Sequence, residues 1–241
     1  MTKIQKLSAE LKCRNQLELA STVNLTTTCK LKRRLGFTLA EILITLTVIG
    51  VVAALTIPTL LQNTNQAELK TAYKKDFGML QQAMLMLVND SGGNLFGKYS
   101  GTCNTDESCI SNEFTNYMKN YLSFIKTCNV GQSQNCWYSQ YRMLGNDTPY
   151  ATATSFSDQA TGILSNGSLI AFRINFKHYG YFRIDVNGYK KPNTMGKDMF
   201  YIKYDQEGRV MPFPNNVAGH ICDASDPTTT GYGCAELYLY Q

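Results

Sequence analysis

The sequence predicts an α+β fold in which a long N-terminal helix packs on a C-terminal antiparallel β-sheet. The first observation is a helical pattern over residues 37–88 whose first half is almost free of charge. The second is the alternation of apolar and polar residues in three segments between 170 and 204, which is typical of strands. Cysteines between residues 103 and 234 add the expectation of loops closed by disulfides.

The first half of the helix predicts a single membrane crossing. From Phe37 to Leu61 the only formally charged residue is Glu41. As a helix, these 25 residues span about 37 Å, which exceeds a hydrocarbon thickness of about 30 Å. Four cations within residues 30–34 precede the segment, and the next one is Lys70. We therefore expect a cytoplasmic N-terminus and an exported C-terminal part.

Two other kinds of segment share this apolar pattern. A secretory signal has an apolar core of about 7–15 residues followed by small residues at a cleavage site. Here the apolar run is longer, and no A-x-A pattern ends it. A plain membrane anchor has no need of Glu41, because a carboxylate in a spanning helix costs up to about 3 kcal/mol and usually has a partner. The sequence therefore favours a spanning helix with a functional carboxylate.

The second half of the helix is amphipathic. Apolar residues recur every three or four positions from residue 69 to 87, which predicts one buried stripe. The pattern ends at residues 89–93, Asn-Asp-Ser-Gly-Gly, which break a helix strongly. We therefore expect a transmembrane half at 37–61, an amphipathic half at 62–90 and an exported globular head at 91–241.

Within the head, the sequence predicts a second helix followed by strands. Apolar residues share one helical face over 111–126, and Ser111 can cap its start. Alternation predicts strands at 170–176, 182–186 and 200–204, which would form an antiparallel sheet on the long helix. The predicted turns are Asn166-Gly167, His178-Tyr179-Gly180 and Asp205-Gln206-Glu207-Gly208.

Residues 32–61 resemble the N-terminal signal of type IV pilins and type II secretion pseudopilins. In that family, a membrane-embedded aspartyl prepilin peptidase cuts after a glycine and then methylates the new amino group. The matching residues are Lys32-Arg33-Arg34, then Gly36-Phe37-Thr38-Leu39-Ala40-Glu41, and finally Pro58.

The resemblance implies a role for each of these residues. Cleavage falls between Gly36 and Phe37, and Phe37 becomes N-methylated. Residues 1–36 are then a leader that is longer than most leaders of the family, and the alternative is a start of translation nearer Leu31. Glu41 is the assembly carboxylate, which neutralises the Phe37 amine of a neighbouring subunit. Both charges are unfavourable in a membrane, so their pairing also sets the register between subunits. Pro58 is expected to kink the helix.

By the same resemblance, the chain is a pilin-like structural subunit, major or minor, of a type IV pilus or a type II secretion pseudopilus, and not an enzyme. The implied partners are a prepilin peptidase, other pilin or pseudopilin subunits, an inner-membrane assembly platform and membrane lipid. The implied location is the inner membrane, followed by a cell-surface or periplasmic filament. Two alternatives stay open: a single-pass membrane-anchored exported binding protein that does not polymerise, and an exported enzyme with a pilin-like anchor.

Composition excludes several other classes of function. The formal net charge is +5, but residues 1–36 hold eight Lys and Arg against two Glu, so the other 205 residues are almost neutral. A specific nucleic-acid site therefore has little support. The chain has only two histidines, His178 and His220, and it contains no zinc-peptidase, P-loop or serine-hydrolase motif.

The cysteines predict disulfides in an exported head. Two of the eight, Cys13 and Cys29, lie in the predicted leader. The other six allow many connectivities, among which spacing alone does not choose. We predict nearest-neighbour pairs, the last of them of the kind with which pilins commonly close their C-terminal region. A zinc site is the alternative, although no C-x-x-C pair occurs. The predicted bridges are Cys103–Cys109, Cys128–Cys136 and Cys222–Cys234.

One predicted loop carries oxygen ligands suited to calcium. Residues 185–198 read DVNGYKKPNTMGKD, in which Asp185, Asn187 and Asp198 are the candidate calcium ligands. An EF-hand loop needs glycine at its sixth position, whereas Gly188 stands at the fourth and lysines lie nearby. A plain turn between strands is the alternative, and no other cofactor is expected.

Overall fold

The computed structural model describes residues 36–95, 103, 106–138, 140–146, 149–152, 158–175 and 179–240. The predicted leader, apart from Gly36, lies outside these residues. The chain divides into two compact units, residues 1–56 and 57–241. The helices are α1 (Leu39–Asp90), α2 (Glu107–Met118) and α3 (Cys234–Tyr240), with a short 3-10 helix at Ser133–Asn135. The strands are β1 (Phe124–Cys128), β2 (Gln140–Arg142), β3 (Pro149–Thr152), β4 (Ala160–Leu164), β5 (Leu169–Asn175), β6 (Tyr179–Asp185), β7 (Met199–Asp205) and β8 (Val210–Pro212).

The strands form two antiparallel sheets. The larger sheet has the order β1-β4-β5-β6-β7-β8, so each strand from β4 onward pairs with the next one along the chain. Strands β2 and β3 form a separate pair. The α+β class and the antiparallel sheet are thus confirmed, and β5, β6 and β7 lie within a few residues of the predicted strands.

The second half of α1 buries one stripe, as its pattern predicts. The helix ends at Asp90, inside the predicted breaker. Gly92 and Gly93 have φ angles of 80° and 95°, and the Gly93 N–H donates to the Val88 carbonyl at 3.0 Å. This left-handed turn closes the helix and needs residues without a Cβ. The buried residues are Tyr73, Asp76, Phe77, Leu80, Ala83, Met84, Leu87 and Val88.

Aromatic rings form the centre of the core between these helices and the sheet. Phe114 of α2 contacts Phe172 of β5 and Tyr204 of β7, with ring centroids 5.7 and 5.6 Å apart. Tyr73 of α1 packs on Phe200 of β7 at 4.1 Å. Residues 200 and 204 share one face of β7 because side chains alternate along a strand. The buried stripe of α1 and helix α2 therefore cover the same face of the sheet.

The C-terminal segment covers part of the opposite face. Tyr201 points away from Phe200 along β7 and stacks on Tyr232 at 4.7 Å between ring centroids. Phe213 and His220 also pack on the Tyr232 ring, at 5.4 and 4.9 Å. Neither this packing nor α3 is predicted by the sequence pattern.

A buried carboxylate joins α1 to the turn between β4 and β5. Asp76 is 1% exposed, and its two oxygens accept hydrogen bonds from Asn166 Nδ2 and Ser168 Oγ, each at 2.6 Å. Burial raises the pKa of Asp76, while these two hydrogen bonds and the charge of Lys75 oppose that shift. An acid thus lies in the buried stripe because it satisfies the donors of the Asn166-Gly167 turn.

The second helix begins earlier and ends sooner than predicted. Asp106 caps it, since its carboxylate accepts the Ser108 N–H at 2.9 Å, and Ser111 is a buried residue inside the helix. The predicted helical face extends to residue 126, but Phe124–Cys128 pairs with β4 as strand β1. Ile125, expected on the buried face, is 68% exposed. The prediction was wrong here because pairing with a distant strand outweighs a local helical period.

Gly180 lies within β6 and not in a turn, so that prediction was also wrong. It pairs with Tyr204 on β7, and a Cβ added to it would overlap the Tyr204 ring. Glycine occupies this position in the strand because a large side chain crosses over it. His178, from the same predicted turn, lies outside the described residues.

Three disulfides close loops of the head. They join the predicted nearest neighbours, so none of these sulfurs is left for a zinc ion. The first bridge joins the first turn of α2 to a cysteine four residues before the helix. The second joins the last residue of β1 to the residue after the 3-10 helix, and the third holds the first residue of α3. The bridges are Cys103–Cys109, Cys128–Cys136 and Cys222–Cys234.

Candidate functional site

The Gly36–Phe37 bond lies in exposed, irregular backbone immediately before α1. The helix begins at Leu39, and residues 36–38 belong to no regular element. The Phe37 side chain is 84% exposed. Among the described residues, apart from the glycine and its chain neighbours, no atom lies within 4 Å of the point where a Gly36 Cβ would stand. An open, irregular peptide bond of this kind is accessible to a peptidase.

Glu41 forms a capping box with Thr38 at the start of α1. The Thr38 N–H and hydroxyl donate to Glu41 Oε2 at 2.8 and 2.9 Å, and the Glu41 N–H donates to Thr38 Oγ1 at 3.2 Å. Two N–H groups that a helix start leaves without a partner are thereby satisfied. The Thr-x-x-Glu spacing is the sequence signal for this motif, and it adds Thr38 to the predicted site residues.

The capping box occupies only part of the Glu41 carboxylate. Both Thr38 bonds go to Oε2, and Oε1 receives no hydrogen bond from any residue that the structure describes. One oxygen of Glu41 is therefore bound locally, while the other can meet a cation from outside the helix.

The apolar half of α1 has no buried face within the described part of the chain. Every residue from 36 to 61 is exposed, apart from Ala53, which is partly exposed. Of the helices that the structure describes, α1 is the one long and apolar enough to cross a membrane. Its threonine hydroxyls bond back to the helix, as polar groups must in lipid: Thr45 to the Ile42 carbonyl at 3.0 Å, Thr47 to Leu43 at 2.7 Å and Thr56 to Val52 at 2.9 Å.

Pro58 lies inside α1, which continues to Asp90. Proline has no N–H, so the Ala54 carbonyl loses its usual helical donor. Helical structure on both sides of Pro58 is observed, whereas the kink stays a prediction.

The three calcium candidates lie together in the hairpin between β6 and β7. Asp185 ends β6, and across the hairpin the Val186 N–H donates to the Asp198 carbonyl at 2.9 Å. Both carboxylates are fully buried. The Asn187 N–H donates to Asp185 Oδ1 at 3.2 Å, and its side-chain amide donates to the Lys191 carbonyl at 3.1 Å. The described residues contain no group of three or more His, Cys, Asp and Glu that could hold a metal.

The two carboxylates differ in how the protein satisfies them. Asp198 accepts the N–H groups of Asn193 and Thr194 at 2.6 and 2.7 Å. Among the described residues, no donor meets Asp185 Oδ2 with full hydrogen-bond geometry, although the Tyr138 hydroxyl lies beside the Asp185 carboxylate. Burial raises the pKa of both groups, and the nearby charge of Asp198 raises the pKa of Asp185 further. Asn193 is a member of this cluster that the sequence prediction missed.

His220 is a packing residue. Its Nδ1 lies 2.7 Å from Thr230 Oγ1, its ring stacks on Tyr232, and burial lowers its pKa. The neighbouring Cys222 is disulfide-bonded to Cys234, so no thiol is available for a thiol–imidazole pair.

Comparison with protein families gives a match at the start of the chain. Residues 31–57 match the family model described as the prokaryotic N-terminal methylation motif. The matched segment contains Gly36, Phe37 and Glu41 and ends immediately before Pro58. Searches of curated proteins and of solved structures gave no match. The chain therefore carries the prepilin-type N-terminal signal of type IV pilins and pseudopilins.

Proposed function

We propose that the chain is a prepilin-like precursor that a prepilin peptidase cuts between Gly36 and Phe37 and methylates at the Phe37 amine. The mature product then serves as a structural subunit, major or minor, of a type IV pilus or a type II secretion pseudopilus. The observation that carries the proposal is the methylation motif at 31–57, placed on an exposed Gly36–Phe37 bond at the start of an apolar helix.

The exposed apolar half of α1 supports two successive environments for this part of the helix, first lipid and then a filament. A run of apolar side chains from residue 37 to 61 is unfavourable in water, and lipid is the solvent that matches its length and composition. In a filament, neighbouring copies of the same helix supply equivalent apolar contacts. The proposed location is therefore the inner membrane with a cytoplasmic N-terminus and an exported head, followed by a filament.

The Glu41 carboxylate supports a specific contact between subunits. Cleavage creates a positive amine at Phe37, and the open oxygen Oε1 of Glu41 in a neighbouring copy can accept a hydrogen bond from it. Two opposite charges 4 Å apart attract by about 4 kcal/mol at an effective dielectric constant of about 20. Because each charge alone is unfavourable in lipid, pairing them favours one axial offset between subunits. The proposed partners are other pilin or pseudopilin subunits, assembled on an inner-membrane platform.

The processing step is tested by mass spectrometry of the full chain, expressed with and without a prepilin peptidase. The expected product begins at Phe37 and is heavier by one methyl group only when the peptidase is present. Gly36→Val adds a branched side chain at the scissile bond and is expected to block cleavage. Gly50→Val, which also has open space around its Cβ position, is the matched control and is expected to be cut normally. An uncut parent chain, or a cut near Ala53-Ala54, contradicts the proposal.

The assembly step is tested by the yield of sheared filaments in cells that hold the complete machinery. Glu41→Gln keeps an acceptor for the Thr38 donors but removes the charge, and we expect at least a tenfold loss of filaments. Thr38→Val removes a capping hydroxyl and keeps the charge, so assembly is expected to persist. Glu68→Gln, an exposed acid elsewhere on α1, is the control for loss of charge. Normal filaments from Glu41→Gln would contradict the assembly role of Glu41, whereas parent chains that are processed but never assemble would favour the anchored binding protein.

A further inference from the structure

A cavity of about 510 Å³ lies beside α1, immediately after the apolar run that ends at Leu61. Three elements border it: α1, the β6–β7 hairpin and α3. The lining residues of α1 follow the i, i+3, i+4, i+7 spacing, so they belong to one face of the helix. All the lining residues belong to the second compact unit, residues 57–241. They are Gln62, Asn65, Gln66, Leu69, Lys191, Pro192, Lys197 and Tyr238.

We propose that this cavity binds the headgroup of an anionic phospholipid, such as phosphatidylglycerol, with Lys191 and Lys197 on its phosphate. The inference rests on the proposed function, in which residues 37–61 cross the inner membrane and the head is exported. The lipid then belongs to the leaflet on the exported side. Charge, hydrogen-bond donors, position along α1 and the support of the hairpin each favour this ligand.

The charge of the cavity favours an anion. Its described lining residues include two lysines and no acid. Lys191 and Lys197 are exposed, and no carboxylate among the described residues lies within 4 Å of either ammonium group. Asp198 follows Lys197 but is fully buried and does not line the cavity. Two unpaired ammonium groups on one cavity suit a phosphate, which accepts charge-assisted hydrogen bonds from both.

The other polar groups of the cavity suit the rest of a headgroup. Tyr238 lines the cavity, and Lys70 Nζ lies 4.9 Å from the centroid of its ring, which places a third cation nearby. Burial raises the pKa of Tyr238, so its hydroxyl stays protonated and can donate a hydrogen bond. The side-chain amides of Gln62, Asn65 and Gln66 can both donate and accept. Such groups match phosphate oxygens and glycerol hydroxyls.

The position of the cavity along α1 favours a lipid over a free anion. Gln62 directly follows the apolar run, and Gln66 follows Leu61 by a helical rise of about 8 Å. The polar layer on each side of a bilayer is about 5–8 Å thick. Leu60 and Leu61 are 65% and 56% exposed, so an apolar surface directly precedes the polar face. A molecule with a charged head and apolar chains matches both surfaces.

The hairpin supports the segment that carries the two lysines. The Asn187 side-chain amide donates to the Lys191 carbonyl at 3.1 Å. Asp198, next to Lys197, accepts the Thr194 N–H at 2.7 Å. Because the backbone is held beside both lysines, less freedom is lost when they bind one phosphate.

The experiment is native mass spectrometry of the oxidised full chain, released from detergent after mixing with equal amounts of phosphatidylglycerol and phosphatidylcholine. We expect the chain to retain at least tenfold more phosphatidylglycerol. Each lysine beside an anionic lipid contributes about fivefold in affinity, so Lys191→Gln/Lys197→Gln should reduce this preference to less than twofold.

Two further variants separate a built site from general attraction by positive charge. Lys119→Gln/Lys126→Gln removes the same charge from exposed lysines that do not line the cavity, and it is expected to keep the preference. Gln66→Leu keeps every charge but makes the polar face of the cavity apolar. We expect it to lower the retention of phosphatidylglycerol about threefold.

Four results would overturn the inference. Equal retention of the two lipids by the parent chain excludes a headgroup site. Loss of the preference in Lys119→Gln/Lys126→Gln, or full retention in Gln66→Leu, indicates general attraction by charge. Displacement of phosphatidylglycerol by millimolar inorganic phosphate indicates a site for a free anion.

Failure of the lipid site is distinguishable from failure of the proposed function. Cleavage at Gly36 and resistance to extraction from membranes by alkaline carbonate are measured on the same parent chain. A processed, carbonate-resistant chain without a lipid preference refutes the site alone. An uncut or carbonate-soluble chain contradicts the proposed function itself.

Discussion

Similar apolar side chains are exposed in the first half of α1 and buried in the second half. In the first half, residues 39–61, the large apolar side chains are exposed, among them Leu46 at 61%. In the second half, apolar residues three or four apart are buried against the sheet and α2, with Tyr73, Leu80 and Met84 fully covered. The same helical backbone therefore carries two kinds of apolar surface, one left exposed within the described residues and the other covered by the core of the head.

The difference lies in pattern more than in hydrophobicity. The first half is apolar all around, so no single stripe can satisfy it, and it needs a surrounding apolar medium. The second half is apolar on one stripe, which one sheet face can cover. Substitutions in the two halves should consequently affect different properties: assembly and insertion in the first half, unfolding of the head in the second.

The largest expected difference in the free energy of unfolding is between a truncation in the core of the head and one in the apolar first half of α1. Phe182→Ala removes a fully buried ring that packs on Tyr204 at 4.5 Å, and we expect it to lower the free energy of unfolding by about 3–5 kcal/mol. Leu46→Ala is expected to change it by less than about 0.5 kcal/mol. The measurement is denaturant unfolding of the full chain in detergent, followed by fluorescence of Trp137, the single tryptophan. Equal losses in the two variants would mean that the first half shares the core of the head.

The next largest loss of stability is expected when the C-terminal disulfide bridge is removed. The double variant Cys222→Ser/Cys234→Ser opens a loop with a sequence separation of 12, for which we expect a loss of about 3 kcal/mol. Thermal unfolding of oxidised protein measures it, with the oxidised parent as reference. Cleavage at Gly36 should be unaffected, because the bridge lies in the head. Impaired cleavage would contradict the view that the start of α1 and the head have separate roles.

The buried acid in the second half of α1 gives a smaller effect. Asp76→Ala leaves the donors of Asn166 and Ser168 without an acceptor, and we expect a loss of about 2 kcal/mol in the free energy of unfolding. Thr71→Ala, at an exposed position of the same helix, is the control and is expected to change it little.

The pH dependence of Asp76 has a defined sign. Burial raises its pKa above the ordinary value of an aspartate, so the folded protein binds this proton more tightly than the unfolded chain. Its contribution to stability therefore falls as the pH rises from about 4 through the folded pKa. Asp76→Asn removes this dependence. The free energy of unfolding of the variant, compared with that of the parent, should therefore be higher at pH 7 than at pH 4. The opposite order in unfolding experiments at the two pH values would show that the hydrogen bonds, not burial, dominate.

The smallest effect is expected at the start of the helix. Thr38→Val removes the hydroxyl of the capping box, and we expect it to weaken the first turn by about 1 kcal/mol. Hydrogen exchange in detergent should then show about fivefold faster exchange of the Glu41 amide, while Leu80 in the core keeps its rate. An unchanged Glu41 amide would mean that the capping box adds nothing to the helix.

Local features were predictable from the sequence because they depend on neighbouring residues. The extent of α1 follows from its 3.6-residue period and from the Asn-Asp-Ser-Gly-Gly breaker, and both were confirmed. The alternation over 170–204 predicted β5, β6 and β7. The signal at residues 31–57 is a linear motif, so it needed no tertiary structure to be read.

Other features depended on residues far apart in sequence. The segment Phe124–Cys128 continues the helical period of α2 but forms β1, because pairing with the distant strand β4 outweighs a local helical period. Gly180 belongs to a short sequence that is typical of a turn, but it lies in β6. Glycine is required there because the Tyr204 ring occupies the position of a Cβ.

The sequence by itself determined the processing signal, the membrane-length helix and the α+β class, because composition and period act locally. Only the tertiary structure decided which polar groups are buried together. Asp76 meets Asn166 and Ser168 through the packing of α1 on the sheet, and Asp198 meets Asn193 and Thr194 through the closing of the β6–β7 hairpin. The physical reason is that burial depends on what the rest of the chain covers, which no linear pattern contains.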